Sequence, residues 1–471
     1  MRARFRLLIA LASVSMAVCA MAAAPDNMPA VNMPDSWALP QSVGSGAYDG
    51  CQWWRMFDDQ LLDSLIAVGL QNNYNAMVAA RNIKLAENTL KATYANYYPN
   101  IGLNAGWTKS RTSGMTGSTP GNAYNESYWT GNVSMSWEID VFGRIASQSK
   151  ANKAAVNVSR ATYDGVMTSL AANIATDYFQ LRVLQAERDV ANEHSRSQLA
   201  VLNITKARYE ASIASKLDVT QAEEVYYSTI ASIPTLQSSI DGIINSLAIL
   251  IGDPSSQLVE QLAVSRPLPD YNHIINAGVP ADLLRNRPDI IEAEKQIDVC
   301  AANLGVAKKD YLPSLSLSGS IGTVAHNAKD LFKKQSLGYT IAPTLSWTIF
   351  DGLTRKYNVS AAKMDMENAI DNYNYTVLAA YEETQSAMSS YFYTLQYIAN
   401  LQDVVNASRE SERLSLDKYK GGLAAFINVA DAQISYLENR NALIVAQGKA
   451  LSALVTLQKA LGGSWQCDTA N

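Results

Sequence analysis

The residues that could carry chemistry are few and scattered along the sequence. His194, His273 and His326 are too far apart to show the spacing of a metal site. The segment GSGAYDG at 44–50 misses the dinucleotide-binding spacing by one residue and precedes no strand–helix unit. No nucleophile motif is present. The sequence therefore predicts that the chain is not an enzyme and binds no cofactor or metal.

The first two dozen residues are typical of an exported protein. Three arginines precede an apolar run at residues 7–18, and the small-residue stretch CAMAAAP follows. This pattern predicts a secretory signal peptide at residues 1–22, cleaved after Ala22. An alternative is lipidation at Cys19, although Val18 is not the small residue that lipoprotein signals place before the cysteine.

Three cysteines remain after cleavage, an odd number for an oxidising compartment. Cys300 lies in a helical pattern and is predicted to be a buried thiol. Cys51 and Cys467 lie near the two chain ends and are a candidate disulfide.

The composition limits the class of protein. The chain has 471 residues and a formal net charge of −5, so no broad basic surface argues for nucleic acid. Hydrophobic residues make up 48% of the chain. After the signal peptide, no segment approaches the roughly 20 consecutive apolar residues of a membrane helix. The exported protein therefore stays in solution or enters a membrane as strands.

The sequence is internally duplicated. Residues 75–106 align with residues 289–320, and Trp137 aligns with Trp347. A period of about 210 residues is too long for a solenoid and indicates a duplicated structural unit. The predicted order is a signal peptide at 1–22, an N-terminal segment at 23–57, a first repeat at 58–264, a linker at 265–280, a second repeat at 281–463 and a C-terminal tail at 464–471.

Each repeat contains an unusually long helical pattern. From Leu353 to Lys420 the sequence has neither Gly nor Pro, and apolar residues recur with the helical period of about 3.6. A matching stretch runs from Ile145 to Glu210 and is interrupted only by Gly165. At 1.5 Å per residue, each stretch predicts a nearly straight helix of about 100 Å. Such helices must pack side by side with others.

Four segments alternate between apolar and polar residues, as strands with two different faces do. The predicted strands lie at about 100–111, 127–140, 314–323 and 336–349. A half-buried sheet in a soluble sandwich remains an alternative on this pattern alone. Aromatic residues near the strand ends favour a sheet between lipid and water. Those predicted to lie at the membrane interface are Trp107 and Trp129 at one end, and Tyr98, Trp137, Tyr311 and Trp347 at the other.

Four strands cannot close a barrel in lipid, because spanning barrels begin at about eight strands and leave no open edge. Several chains must therefore contribute. Three chains would give twelve strands, and geometry alone also allows two or four. The predicted fold class is mainly α with a membrane β-barrel, four strands per chain and an internal duplication.

These segments together resemble the outer membrane efflux protein family, that is, TolC-like channels of the OprM/NodT branch. The most specific pieces are WEIDVFGR, LLRNRPDIIEAE, LGVAKKDYLPSLSLSGSIG, WTIFDG and the closing LGGSW. The resemblance implies a homotrimer with a twelve-stranded barrel in the outer membrane of a Gram-negative bacterium and an α-helical tunnel through the periplasm. It also implies three further partners: a periplasmic adaptor protein, an inner-membrane transporter of the RND type and outer-membrane lipid.

The two tryptophan motifs are predicted to be structural corners where a strand leaves the membrane. Gly143 and Gly352 allow the chain to turn there. Asp140 and Asp351 are placed to cap the long helices that follow.

The resemblance also implies a gate. In this family the turns at 208–222 and 418–433 form the periplasmic tip, and an aspartate in the pattern DAQ lines the pore. Asp431 occupies that position, and three copies would attract cations. Asp218 and Tyr419 occupy positions that meet in closed members of the family. The alternative is that both aspartates are simply solvated.

The predicted function is a passive exit duct of a tripartite efflux pump for drugs or other small toxic compounds. One alternative is the exit duct of a type I-like secretion system for proteins or peptides. A structural trimeric surface stalk is the alternative from another class. The duplication argues against the stalk, because stalk proteins place a single anchor at one chain end.

Overall fold

The computed structural model describes residues 50–113, 115, 123–254, 257–273, 275–276, 280 and 286–465, together with residues 34, 37, 43 and 44. The predicted signal peptide and Cys19 lie outside the described residues and stay predictions. So does the part of the predicted C-terminal tail that follows Trp465.

The described part of the chain is mainly helical. Its α-helices are α1 (Gln60–Asn72), α2 (Tyr74–Ala95), α3 (Arg144–Glu210), α4 (Lys216–Ile251), α5 (Gln257–Leu262), α6 (Pro288–Lys309), α7 (Thr354–Lys420) and α8 (Phe426–Ala460). Short 3-10 helices lie at Trp53–Phe57, Ala328–Asp330 and Lys334–Ser336. None of the described helices is long and apolar enough to cross a membrane.

The two long helices match the expectation from the absence of Gly and Pro. Helices α3 and α7 each contain 67 residues. At 1.5 Å per residue, each is about 100 Å long.

Six strands are described, in two sheets. The strands are β1 (Val43–Gly44), β2 (Asn100–Thr112), β3 (Tyr124–Ile139), β4 (Ile275–Asn276), β5 (Ser314–Ala325) and β6 (Leu337–Ser346). Strands β1 and β4 form a short parallel pair. The other four form one antiparallel sheet in the order β2-β3-β5-β6, so β2 and β6 are its edges.

The register of the larger sheet produces one apolar and one polar face. Val133 lies opposite Leu103 on one side and Ile321 on the other, and Ile321 lies opposite Tyr339. One residue along each strand, the opposite face shows a row of Gly102, Ser134, Ser320 and Thr340. The alternation that the sequence predicted is therefore continuous across all four strands.

Strand ends agree with the expected ones to within about two residues, except at one end of β3 and one end of β6. Strand β3 begins at Tyr124 rather than at residue 127, because β2 extends to Thr112 and the two residues pair. Strand β6 ends at Ser346 rather than at residue 349. Ser346 pairs with Ser314, the first residue of β5, so the residues beyond it have no strand opposite them.

The tryptophan motifs form corners, as predicted. The Asp140 carboxylate accepts hydrogen bonds from the backbone N–H groups of Ile145 at 3.1 Å and Ala146 at 2.8 Å, at the start of α3. The Asp351 carboxylate accepts from the N–H of Arg355 at 3.2 Å, at the start of α7. Each cap satisfies N–H groups that the first turn of a helix leaves unpaired.

Glycine is needed at both corners. Gly143 has φ 75° and Gly352 has φ 66°, in the left-handed region that glycine adopts without steric cost.

The described residues fall into two compact units, and each unit takes parts of both sequence repeats. One contains Asn82–Ser159 and Glu292–Tyr373, including the four-stranded sheet. The other contains the described residues within 31–81, 160–291 and 374–471. The second unit holds most of the fully buried large side chains, including Leu62, Leu65, Ile66, Ile174, Tyr178, Phe179 and Leu247.

The cysteines are placed differently from one another. Cys51 is disulfide-bonded, and its candidate partner Cys467 lies outside the described residues. Two backbone hydrogen bonds join residues 50–52 to Ser464 beside Cys51. Gln52 N–H donates to the Ser464 carbonyl at 3.0 Å, and Ser464 N–H donates to the Gly50 carbonyl at 2.9 Å.

The prediction that Cys300 is a buried thiol was wrong in degree. Its side chain is only half-buried. It lies on an open cleft of about 450 Å³ that is lined largely by polar residues of α6 and α7. Partial burial still raises the pKa of the Cys300 thiol.

Candidate functional site

The candidate site comprises the two turns that end the long helices. In the first turn, Ile213 N–H donates to the Arg208 carbonyl at 2.8 Å and Ser212 N–H donates to the Tyr209 carbonyl at 2.9 Å. Ser212 has φ 61°. This is a Schellman arrangement, in which the left-handed residue after the helix redirects the chain and satisfies its last carbonyl groups.

The second turn repeats this geometry. Leu423 N–H donates to the Lys418 carbonyl at 2.9 Å, and Gly422 has φ 73°. Glycine adopts this conformation freely, whereas Ser212 at the equivalent position carries about 1 kcal/mol of strain.

The helices that leave the two turns begin differently. Ser215 caps α4: its hydroxyl accepts from Asp218 N–H at 3.1 Å, and the Asp218 carboxylate accepts from Ser215 N–H at 3.0 Å. This reciprocal pair is a capping box. Ala425 precedes α8 and provides no side-chain cap. The start of α8 therefore lacks a stabilising contact that α4 has.

Tyr419 lies in the apolar core between the turns. It is buried in a cluster with Val201, Val225, Phe426 and Val429. Its ring contacts the Phe426 ring edge-on, with 5.5 Å between centroids. Residues of α3, α4, α7 and α8 thus share one small core at this end of the helices.

Arg208 connects the two turns, and the sequence interpretation did not identify it. Its guanidinium donates to the Lys420 carbonyl at 2.9 Å and lies 4.9 Å from the centre of the Tyr419 ring. A cation that binds the last carbonyl groups of a helix stabilises that helix end. The only sequence signal was a basic residue in the last turn of α3, aligned with Lys418 in the second repeat.

The contact between Asp218 and Tyr419 that the family resemblance implies is not made within the described chain. The Tyr419 hydroxyl donates instead to Thr205 Oγ1 at 3.4 Å, and Asp218 caps its own helix. Asp218 binds its own helix start because a carboxylate three residues after a serine cap lies within hydrogen-bond distance of the serine's backbone N–H. The assignment of both residues to a gate stays a prediction.

Asp431 lies on the exposed side of α8. Its neighbours Ala430 and Ala432 are buried, as is Val429 two residues earlier. The carboxylate therefore points away from the core that contains Tyr419. This position leaves three symmetry-related carboxylates free to face a common axis, which stays a prediction.

Two buried polar residues of α3, His194 and Gln198, precede this core along the helix. His194 is 4% exposed and its ring lies 5.0 Å from the Tyr436 ring. Among the described residues, His194 Nε2 and both polar atoms of the buried Gln198 have no hydrogen-bond partner. Burial, followed by the positive charge of Arg440, lowers the pKa of His194 to about 4, while Glu193 acts in the opposite direction.

The predicted interface aromatics lie at the two ends of the four-stranded sheet. Trp107 and Trp129 are cross-strand partners towards the end opposite the Asp140 and Asp351 corners, with 6.3 Å between ring centroids. At the other end, Trp137 and Trp347 donate indole hydrogen bonds to the carbonyls of Tyr97 at 2.9 Å and Tyr311 at 3.0 Å. Tyr98 and Tyr311 are exposed there. Their contact with a membrane interface stays a prediction.

The described residues contain no group of histidine, cysteine and carboxylate side chains arranged to hold a metal ion. The candidate site consists of the ends of four helices, the small core around Tyr419 and the exposed carboxylate of Asp431.

Comparison with known proteins identifies the family. The sequence pattern of the family "Outer membrane efflux protein" matches residues 65–253 and 279–463, one segment in each repeat. "Nodulation protein T" of Rhizobium leguminosarum bv. trifolii is 27% identical over 443 residues, which cover 94% of this chain and 93% of that protein. "Antibiotic efflux pump outer membrane protein ArpC" of Pseudomonas putida is 25% identical over 444 residues, covering 94% and 91%.

The fold has a solved counterpart. The structure of the outer-membrane channel OprN aligns with a TM-score of 0.84 and 27% identity, over 93% of this chain and 99% of that one. The predicted fold class is confirmed: the chain is mainly helical, and the four strands of its larger sheet fit one third of a trimeric twelve-stranded barrel. These relatives are channels, and the chain is not an enzyme. The chain belongs to the outer membrane efflux protein family.

Proposed function

We propose that three copies of this chain form a passive outer-membrane exit duct of a tripartite efflux pump, which expels small toxic compounds. The observation that carries the proposal is the four-stranded sheet. Its apolar face suits lipid, its Ser, Thr, Asn and Gly face suits a water-filled lumen, and its edges β2 and β6 each have one described neighbour. Pairing β6 of one chain with β2 of the next would close the barrel and leave no edge in lipid.

The long helices support a duct rather than a pore confined to the membrane. Helices α3 and α7 continue directly from the corners that end β3 and follow β6. Helices α4 and α8 return from the turns that end α3 and α7. Three chains would therefore supply twelve helical segments, which would extend the lumen of the barrel through the periplasm of a Gram-negative cell. The duct is passive, so a periplasmic adaptor and an inner-membrane transporter of the RND type supply energy and choose the cargo.

The helix turns are the proposed gate. Asp431 would line the constriction, while the core around Tyr419 and the Arg208 contact to the Lys420 carbonyl hold the turns closed. Because α8 starts without a side-chain cap and α4 starts with a capping box, the second turn is the less restrained of the two.

The relatives also support efflux. An antibiotic efflux pump component is among the similar proteins across almost the whole chain. Export of a protein or peptide remains the alternative in the same class, because a duct wall lined by small polar residues would carry either cargo.

The test is deletion of the gene followed by a drug-susceptibility panel. We expect lower inhibitory concentrations for several unrelated compounds, restored by the full-length chain. Unchanged susceptibility together with loss of a polypeptide from the growth medium would favour the secretion duct. If the deletion changes neither drug susceptibility nor the secreted polypeptides, both duct proposals are overturned.

Assembly is tested separately by the mass of the detergent-extracted protein. We expect three chains per particle, because a single sheet would leave the backbone groups of two edges unpaired in lipid. A stable monomer inserted in lipid would contradict the proposed barrel.

A further inference from the structure

The apolar face of β2 changes to a cationic one at its outer end. Ile101, Leu103 and Trp107 share this face, and the next two residues on it are Lys109 and Arg111. The register supports this order, since Lys109 lies opposite Ser127 and Arg111 opposite Asn125. Two cations therefore follow the aromatic residue directly on the side of the sheet that faces lipid in the proposed barrel.

The connection between β5 and β6 brings further cations to the same end. Lys329, Lys333 and Lys334 are exposed there, and Phe332 between them is 96% exposed. The ring nitrogen Nδ1 of His326 donates to the Ser127 carbonyl at 2.9 Å. Ser127 is the strand partner of Lys109, so this hydrogen bond holds the β5–β6 connection close to Lys109.

The charges at this end are largely unbalanced. Residues 107–129 and 325–337 together hold five Lys or Arg residues and only two carboxylates, Glu126 and Asp330. Of these five cations, only Lys333 forms an ion pair with a described residue, Asp330, at 2.6 Å. The excess of three positive charges per chain contrasts with the net charge of −5 of the whole chain.

Three cations at the opposite end of the sheet have polar partners. Arg144 binds Glu138 at 2.9 Å, and Arg355 binds Asp351 at 2.9 Å. Lys309 donates to the Gly143 carbonyl and to the Ser147 hydroxyl, both at 2.8 Å. The excess of positive charge therefore lies at the end of the sheet opposite the Asp140 and Asp351 corners.

We propose that this end, defined by Lys109, Arg111, Lys329, Lys333 and Lys334 and here called the cationic rim, binds the phosphate groups of outer-leaflet lipid. The proposal rests on the proposed location in the outer membrane. Lysine and arginine next to an apolar surface place their stems along acyl chains and their charges at headgroup height. Arginine also binds phosphate oxygens through two parallel hydrogen bonds. The apolar face, the tryptophan pair and Phe332 favour a lipid over a soluble anion.

The test uses the full-length trimer in a non-ionic detergent and native mass spectrometry. Lipid A with two phosphates is titrated against lipid A from which both phosphates have been removed. We expect the two-phosphate form to bind more tightly, with an affinity that falls as salt increases. Lys109→Gln with Arg111→Gln should weaken its binding about fivefold for each cation removed. Lys329→Gln with Lys334→Gln should do the same.

A matched control is Lys84→Gln with Lys91→Gln, which removes two exposed cations from α2. This control should leave binding unchanged, and every variant should remain trimeric. Equal binding of the two lipid A forms, or an equal loss in the control, would overturn the proposal. Displacement by the same concentration of inorganic phosphate would also overturn it. A trimer that conducts in planar bilayers without binding lipid A would overturn the proposal for the cationic rim but not the proposed exit duct.

Discussion

The indole N–H of Trp137 donates a hydrogen bond to the backbone carbonyl of Tyr97 at 2.9 Å. The second repeat builds the same contact between Trp347 and Tyr311 at 3.0 Å. Each bond connects the end of one strand to the segment that enters the neighbouring strand. The two tryptophans therefore fix the geometry of the corners, in addition to any contact they make with a membrane interface.

Replacement of Trp137 by Phe should reveal this structural role. The change keeps an aromatic ring and removes the N–H donor, at a cost of about 1 kcal/mol per chain from the lost bond. We expect a lower melting temperature of the detergent-solubilised trimer. Trp129→Phe is the matched control, because the described contact of Trp129 is with the Trp107 ring and not with a carbonyl. Equal shifts for both variants would show that the indole bond adds nothing.

His194 should make the stability of the helical region depend on pH. Its folded pKa of about 4 lies below the unfolded value of about 6.5, so the unfolded chain binds more protons between these values. Stability should therefore fall as the pH drops from about 6.5 towards 4, by up to about 3 kcal/mol per chain.

The comparison is between the wild-type trimer and His194→Phe, melted at pH 7 and at pH 4.5. The variant keeps an aromatic ring beside Tyr436 and removes the titrating group, so its melting temperature should change less with pH. His326→Gln, at an exposed histidine, is the control and should behave like the wild type. The same pH response in His194→Phe and in the wild type would assign the effect to other groups.

The disulfide at Cys51 should be visible as missing thiols. If Cys467 is its partner, the mature unfolded chain should react with a thiol reagent only at Cys300, the free cysteine of the described residues. Cys51→Ser should expose one more reactive thiol by freeing Cys467. It should also lower stability by about 2–4 kcal/mol, which is typical of a native disulfide. An unchanged thiol count in Cys51→Ser would mean that Cys467 is not the partner.

The architecture was predictable because it follows from patterns that local sequence determines. The absence of Gly and Pro between Leu353 and Lys420 left a continuous helix as the default. Period-two alternation in the strands placed Val133 and Trp137 on one face whatever the neighbours were. Gly143 forms the turn at its own position, and Asp140 caps a helix that begins only a few residues later, so both effects are local.

The features that the sequence did not predict depend on contacts between distant segments. The end of β6 at Ser346 follows from where β5 begins. The contact of Arg208 with the Lys420 carbonyl joins residues on different helices, which no local pattern encodes. The capping box that Asp218 forms with Ser215 is local, whereas the hydrogen bond of the Tyr419 hydroxyl to Thr205 joins two helices. The contact between Asp218 and Tyr419 that the resemblance implies stays a prediction.

The proposed gate makes the last prediction. If three Asp431 carboxylates face the axis at the helix turns, they attract cations into a narrow and weakly screened space. Asp431→Asn should then lower the cation-to-anion permeability ratio in planar bilayers by at least about twofold at low salt, where the Debye length is long. Block of the current by multivalent cations should weaken as well.

Two further variants separate this charge effect from loosening of the turns. Asp417→Asn removes an exposed carboxylate of α7 that is ion-paired with Arg413 at 3.1 Å, and it should leave selectivity unchanged. Arg208→Gln removes the contact between the turns through the Lys420 carbonyl, so it should raise conductance with little change in selectivity. If Asp431→Asn and Asp417→Asn give the same current, selectivity and block as the wild type, then Asp431 is a solvated residue, and the constriction must be formed elsewhere.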